Sequence, residues 1–218
     1  MLIGNIPMND ARINKEKENL PDLSEDETGI RIRKYLATTM INMVKKGHKF
    51  SIADLIEYGN PRDRLGRTVA HWMVDYGHKF SVEELLLLGN HCDKYGETIG
   101  HRMVENGYRF SAEDLIKIGN TADIGGNTIS HWMVIRGHKF KVAELIELGN
   151  PGDEHGKTLS HYMAELGHEF TPDELIELGN PADKAGRTVA EIMAMKDYEF
   201  TRQEKAEFGL LLQVDVEN

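Results

Sequence analysis

The stretch DRLGRTVAHWMVDYGHKFSVEELLLLGN, which runs from Asp63 to Asn90, decides the fold because the chain repeats it. Thirty residues later the sequence reads DKYGETIGHRMVENGYRFSAEDLIKIGN, and the pattern returns in further copies without an insertion. Aspartate recurs at 63, 93, 123, 153 and 183, and phenylalanine recurs at 50, 80, 110, 140, 170 and 200. A period of this length is typical of repeat proteins, in which neighbouring units share one core.

Each copy predicts two short helices joined by a turn. Thr68 is a suitable N-cap for the first helix, and Gly77 is suited to end it. Ser81 and Glu84 form a capping box at the start of the second helix. The same box recurs at Ser51/Asp54, Ser111/Asp114, Thr171/Glu174 and Thr201/Glu204. Lys141 interrupts it in one copy, where we expect the helix to start less sharply.

Helices this short are marginal in isolation, so each unit must pack on its neighbours. The apolar positions of the first full copy supply such a packing face. They are Met73, Val74, Phe80, Leu85, Leu86 and Leu88. The fold class predicted from these patterns is all-α.

The composition of the chain disfavours several classes of function. The chain has 218 residues and a formal net charge of -10, which disfavours direct nucleic-acid binding. It has no apolar run of the roughly 20 residues that a membrane span needs, so we expect no membrane contact. The N-terminal residues have no secretory pattern. Cys92 is the single cysteine, and a reducing, cytoplasmic location fits best.

The segments DRLGRTVAHWMVDYGH and VEELLLLG resemble the ankyrin repeat, whose pattern is D-x-x-G-x-T-P-L-H-x-A-A-x-x-G-H followed by V-x-x-L-L-x-x-G-A-D. The matching residues are Asp63, Gly66, Thr68, His71, Gly77, His78, Val82, Leu85, Leu86 and Gly89. The resemblance covers residues 38–209 and implies an ankyrin-like helical repeat solenoid. The period is 30 instead of about 33, so we expect tight turns in place of β-hairpin fingers.

The repeat also divides the chain. We expect an N-terminal arm or cap over 1–30 and a degenerate repeat over 31–60. Four full ankyrin-like repeats follow over 61–180, and a capping repeat with an apolar tail occupies 181–218.

Histidines recur at the same position of each unit, but their spacing argues against a metal. Neighbouring helices pack about 8–10 Å apart, whereas zinc ligands lie about 2 Å from one ion. The resemblance implies instead that each histidine hydrogen-bonds its threonine cap and a neighbouring backbone group. These pairs are Thr68/His71, Thr98/His101, Thr128/His131 and Thr158/His161. No nucleophile or phosphate loop accompanies them, so we predict no catalytic residues, no cofactor and no metal.

Function in an array should lie where the copies differ, because the shared positions maintain the fold. The variable positions lie in the turns, at the ends of the first helices and just after the histidine. They give the predicted partner-binding residues Trp72, Arg102, Trp132, Tyr162, Tyr76, Arg136, Ile135, Leu166, Leu65 and Tyr95. Aromatic residues and arginine are enriched at binding hot spots. The alternative for Trp72, Arg102, Trp132 and Tyr162 is packing between repeats.

The sequence therefore predicts a non-enzymatic scaffold that binds another protein. The resemblance implies binding on the concave face, by an adaptor or inhibitor of bacterial, viral or phage origin. Two alternatives remain open. One is an acidic decoy that mimics nucleic acid. The other is a self-assembling structural protein that forms a homo-oligomer through Leu210, Leu211 and Leu212.

Overall fold

The computed structural model describes residues 27–210, and this part of the chain is all-helical. Its twelve helices are one long helix and eleven helices of six or seven residues. They are α1 (Glu27–Lys45), α2 (Ile52–Glu57), α3 (Val69–Asp75), α4 (Val82–Leu88), α5 (Ile99–Glu105), α6 (Ala112–Ile118), α7 (Ile129–Ile135), α8 (Val142–Glu147), α9 (Leu159–Glu165), α10 (Pro172–Glu177), α11 (Val189–Met195) and α12 (Arg202–Glu207).

The helices form pairs that pack in chain order. The first helices of successive pairs, α1, α3, α5, α7, α9 and α11, contact one another in sequence. The second helices α2, α4 and α6 do the same. One hydrophobic cluster runs through all pairs, and Phe80, Met73 and Leu85 are among its fully buried members. The prediction of an all-α chain of packed helical repeats is confirmed at this level.

The first helix crosses the predicted boundary between the N-terminal arm or cap and the degenerate repeat. Helix α1 spans 19 residues and begins within the segment assigned to the arm, so the division at residue 30 falls inside a helix. Ala37, Met40, Ile41 and Val44 are buried against the core. Their spacing is the i, i+3, i+4, i+7 pattern of an amphipathic helix. Met40, Ile41 and Val44 are equivalent to the buried Ala70, His71 and Val74 of α3, so this face follows the 30-residue repeat. Residues 1–26 lie outside the described part.

The predicted capping boxes at Ser51, Ser81, Ser111, Thr171 and Thr201 are confirmed. At Lys141 the expectation of a less sharp start is wrong, because α8 begins at Val142, which is equivalent to Val82 of α4. Half of the box remains there. The Glu144 carboxylate accepts a hydrogen bond from the Lys141 backbone N–H at 2.7 Å. That bond satisfies one N-terminal amide without help from the cap side chain.

The connections between pairs are tight turns. In the described residues the only β pairing is one isolated bridge per turn, such as Arg62 with Thr68. Asn60 follows Gly59 and also has a positive φ, of 43°. Its side-chain oxygen accepts a hydrogen bond from the Ala70 N–H at 3.1 Å. Asparagine repeats this contact in the four later turns, at Asn90, Asn120, Asn150 and Asn180. Each turn is thereby fixed to the start of the next first helix.

The side-chain amide nitrogen of this asparagine forms a second hydrogen bond only where the residue it faces is a serine. The amide nitrogens of Asn120 and Asn150 donate to the hydroxyls of Ser130 and Ser160, both at 2.9 Å. Alanine or glycine replaces that serine at 70 and 100. Within residues 27–210, the buried amide nitrogens of Asn60 and Asn90 have no hydrogen-bond partner.

One further expectation changes, at the surface of the second helices. Leu86 was expected in the core but is exposed, whereas Leu85 and Leu88 are buried. At the end of the described chain, Phe208 and Leu210 pack partly against the core. Leu211 and Leu212 lie outside the described residues. No helix within residues 27–210 is long and apolar enough to cross a bilayer.

Candidate functional site

An aspartate organises each turn, and its two oxygens have different partners. Asp63 Oδ1 accepts hydrogen bonds from the backbone N–H groups of Leu65 at 2.8 Å and Arg67 at 3.0 Å. Its Oδ2 accepts from the Trp72 indole N–H at 3.1 Å. Burial alone would raise the pKa of Asp63, but these hydrogen bonds and the Arg67 charge lower it. The carboxylate therefore joins the turn to the first helix of its own repeat.

The aromatic residues after the histidine are part of this structure. Trp132 Nε1 donates to Asp123 at 3.0 Å, and the Tyr162 hydroxyl donates to Asp153 at 2.8 Å. These rings are half-buried and pack against the core, as Trp72 does. They also contact the histidine of the preceding repeat, edge to face. The ring centroids of His101 and Trp132 are 5.5 Å apart. Packing between repeats therefore accounts for most of their surface.

Arg102 occupies the same position without the same contact. Its guanidinium pairs with Glu97 at 3.1 Å and Glu105 at 2.6 Å. Asp93 Oδ2 is left buried without a hydrogen-bond partner in the described part of the chain. Burial raises the pKa of Glu97, and the Arg102 charge opposes that rise. Arg102 thus belongs to a local ion-pair network.

The buried histidines, His71, His101, His131 and His161, join each repeat to the next. His71 Nδ1 accepts from the Thr68 N–H at 3.1 Å, and its Nε2 lies 3.2 Å from the Glu97 carbonyl oxygen of the following repeat. Since a carbonyl only accepts, Nε2 carries the proton and the ring is neutral. Burial lowers the pKa of His71 to about 4. The other three have the same contacts and a pKa lowered by burial.

Large apolar side chains are exposed at the ends of several first helices. Tyr76, Ile135 and Leu166 are 52%, 48% and 58% exposed, and Met195 is 69% exposed. With Arg136 they form a row along the array, which we call the helix-end row. Three of these residues occupy the position after the helix, and Ile135 and Met195 occupy the last helical position. Exposed apolar groups repeated along one edge are a feature of interaction surfaces.

Two clefts open beside the helix-end row, between neighbouring repeats. One of about 200 Å³ is lined by Val44, Met73, Tyr76 and His78 among others. The second, of about 210 Å³, is lined by Val104, Tyr108, Met133 and Arg136 among others. Each has an apolar floor and a volume that suits one or two side chains of a partner.

Basic side chains line both clefts. Lys45, Lys46 and Lys49 line the first, and Arg109 and Arg136 line the second together with Glu105. Arg136 is also 3.6 Å from Glu105, but half of its side chain is exposed. A partner that fits this row would therefore combine apolar side chains with acidic ones.

The structure thus separates the predicted partner-binding residues into two groups. Tyr76, Ile135, Arg136 and Leu166 are exposed in the helix-end row, and Tyr95 is exposed in a turn. The other five are half-buried and have contacts within the chain. They are Leu65, Trp72, Arg102, Trp132 and Tyr162. Sequence reasoning missed Met195, which is equivalent to Ile135, and Ile124, an exposed turn residue. Comparing each repeat position for apolar outliers would have found both.

The described residues contain no group of three or more His, Cys, Asp or Glu side chains that could hold a metal. Cys92 is exposed and free. A comparison with protein-family models gives no match, and no curated protein matches the chain at a significant level.

Proposed function

We propose that the chain is a non-enzymatic, cytoplasmic scaffold that captures another protein on the helix-end row. The observation that carries this proposal is the exposure of Tyr76, Ile135 and Leu166 at positions where the repeats differ. In an ankyrin-like solenoid the corresponding residues line the concave face. A surface fixed by turn and histidine hydrogen bonds loses little conformational entropy on binding.

The distribution of contacts favours this row over the aromatic column. Trp72 and Trp132 use their only polar atoms within the chain, so replacing them would disturb the fold as well as any interface. Ile135 and Leu166 have exposed side chains whose loss leaves the core intact. They are therefore the better positions at which to separate binding from folding.

The test is affinity capture from the native host with three baits. These are the unmodified chain, the Ile135→Ser/Leu166→Ser variant, and a matched Ile30→Ser/Ile124→Ser variant, which changes two exposed isoleucines outside that row. We expect a stoichiometric partner to be retained by the first and third baits and lost by the second. Circular dichroism shows whether all three are folded. Retention of the same partner by the Ile135→Ser/Leu166→Ser variant would refute the proposal.

A further inference from the structure

An apolar stripe runs along the second helices, apart from the helix-end row. The same position of five successive repeats carries an aliphatic side chain that is between 46% and 54% exposed. These residues are Ile56, Leu86, Ile116, Ile146 and Ile176. They are not required by the core, which is filled by the preceding leucine of each helix, such as Leu85 and Leu115. We call them the second-helix stripe.

Carboxylates border the stripe along one side. The residue three before the stripe position and the residue one after it are four apart, so they are neighbours on the helix surface beside the stripe. Three residues before the stripe position stand Glu83, Glu113 and Asp173. One residue after it stand Glu57, Glu147 and Glu177. The five helices that carry the stripe contain eleven carboxylates and one lysine, Lys117. The surface thus combines an apolar stripe with an acidic flank.

Charge determines what can cover this surface. Two copies that pair through this surface would each carry an acidic flank and a formal net charge of -10, which opposes symmetric self-association. An anionic membrane or nucleic acid is repelled for the same reason. We propose that the second-helix stripe binds a basic amphipathic α-helix, whose apolar side chains contact the aliphatic residues and whose lysines or arginines meet the bordering carboxylates. This surface is additional to the helix-end row and does not depend on it.

The repeat spacing favours a helix lying across the second helices. Neighbouring helices pack about 8–10 Å apart. An α-helix rises about 1.5 Å per residue, so side chains seven residues apart are separated by about 10.5 Å and lie close to one face. A ligand helix with one leucine per heptad would therefore place one apolar side chain near each repeat.

A synthetic peptide tests the proposal on the full chain. The peptide has roughly 30 residues, with leucine at every seventh position and lysines beside it. Binding is measured by fluorescence anisotropy at about 50 and about 300 mM salt. We expect binding that weakens with salt. We also expect about a tenfold loss of affinity for Ile116→Ser/Ile146→Ser, because two half-exposed aliphatic contacts are removed.

Two further variants keep the result interpretable. Glu147→Gln/Glu177→Gln leaves the apolar stripe intact and should weaken binding about threefold at low salt, with a smaller effect at high salt. Ile135→Ser/Leu166→Ser changes the helix-end row and should bind the peptide as the unmodified chain does. The peptide measurement tests the second-helix stripe independently of the affinity capture that tests the helix-end row.

Several outcomes would overturn the proposal. One is equal binding of a peptide with the same composition in scrambled order. Another is an equal loss of affinity in the helix-end variant. Absence of binding at about 1 mM peptide would exclude a useful site. Sedimentation that shows the chain self-associating, with Ile116→Ser/Ile146→Ser remaining monomeric, would assign the stripe to a second copy instead.

Discussion

Acidification should weaken the array through its buried histidines. His71 is fully buried, neutral and hydrogen-bonded at both ring nitrogens. A proton added to Nδ1 would face the Thr68 N–H, and burial already disfavours the charged ring. The pKa of His71 is therefore lowered from 6.5 to about 4 in the folded chain.

The direction of the effect follows from proton linkage. Below pH 6.5 the unfolded chain takes up a proton at His71 that the folded chain does not accept, so unfolding is favoured. The contribution of neutral His71 to the free energy of unfolding is therefore complete above pH 6.5 and is lost as the pH falls from 6.5 through about 4. For a pKa change from 6.5 to about 4, linkage gives a loss of about 2 kcal/mol from this one residue between about pH 7.5 and pH 5.

Other groups modify this loss. His101, His131 and His161 also have pKa values lowered by burial, so they act in the same direction. Asp75 and Glu97 act in the opposite direction, because burial raises the pKa of each carboxyl in the folded state. Their protonation on acidification stabilises the folded chain.

The assay is urea unfolding followed by circular dichroism at several pH values between 7.5 and 5. The unmodified chain is compared with His71→Gln, which cannot titrate at this position. His71→Gln should be less stable at pH 7.5, but its free energy of unfolding should fall by about 2 kcal/mol less on acidification. His155→Gln, at an exposed turn histidine, is the matched control. A fall in His71→Gln equal to that of the unmodified chain would refute the reasoning.

Two substitutions, one at the start of α3 and one in a turn, test other contacts by the same unfolding assay. Ala70→Ser should add about 1 kcal/mol, because a hydroxyl would accept the hydrogen bond of the unpartnered Asn60 amide; an unchanged or lower stability would contradict this. Gly126→Ala should cost about 2 kcal/mol or more, since φ is +78° and a Cβ would lie 2.5 Å from the Glu154 backbone nitrogen. Gly186→Ala, at φ +82° with open space, should cost less, and equal losses would remove the steric argument.

Shared residues made the helices predictable. Capping boxes such as Ser81/Glu84 are local, so their effect on helix starts could be expected from sequence. The asparagine in each turn was equally regular, but its contact lies ten residues away, at Ala70 in the first case. Only the folded turn brings these groups together. The start of helix α1 could not be expected from the repeat, because the helix begins at Glu27, before the first repeated residues.

The candidate site was less predictable because exposure depends on packing that the repeat pattern does not specify. Trp72 and Ile135 both vary between copies and both suggested a binding surface. The Trp72 indole is held against the fold by its hydrogen bond to Asp63 in the turn. Ile135 has no polar atom for such a bond, and its side chain is exposed. Leu86 matched the repeat motif as well as Leu85 did, yet adjacent positions on a helix point in different directions.

The hydrogen bonds of the buried histidines have a direction. Each imidazole donates to a carbonyl of the following unit, so one end of the row offers donors and the other offers acceptors. At the next equivalent position stands Glu191, whose carboxylate accepts from Thr188 and has no proton to donate. The substitution at Glu191 therefore ends the row of histidine donors within the described residues, so a further unit placed after it would have to join without this hydrogen bond.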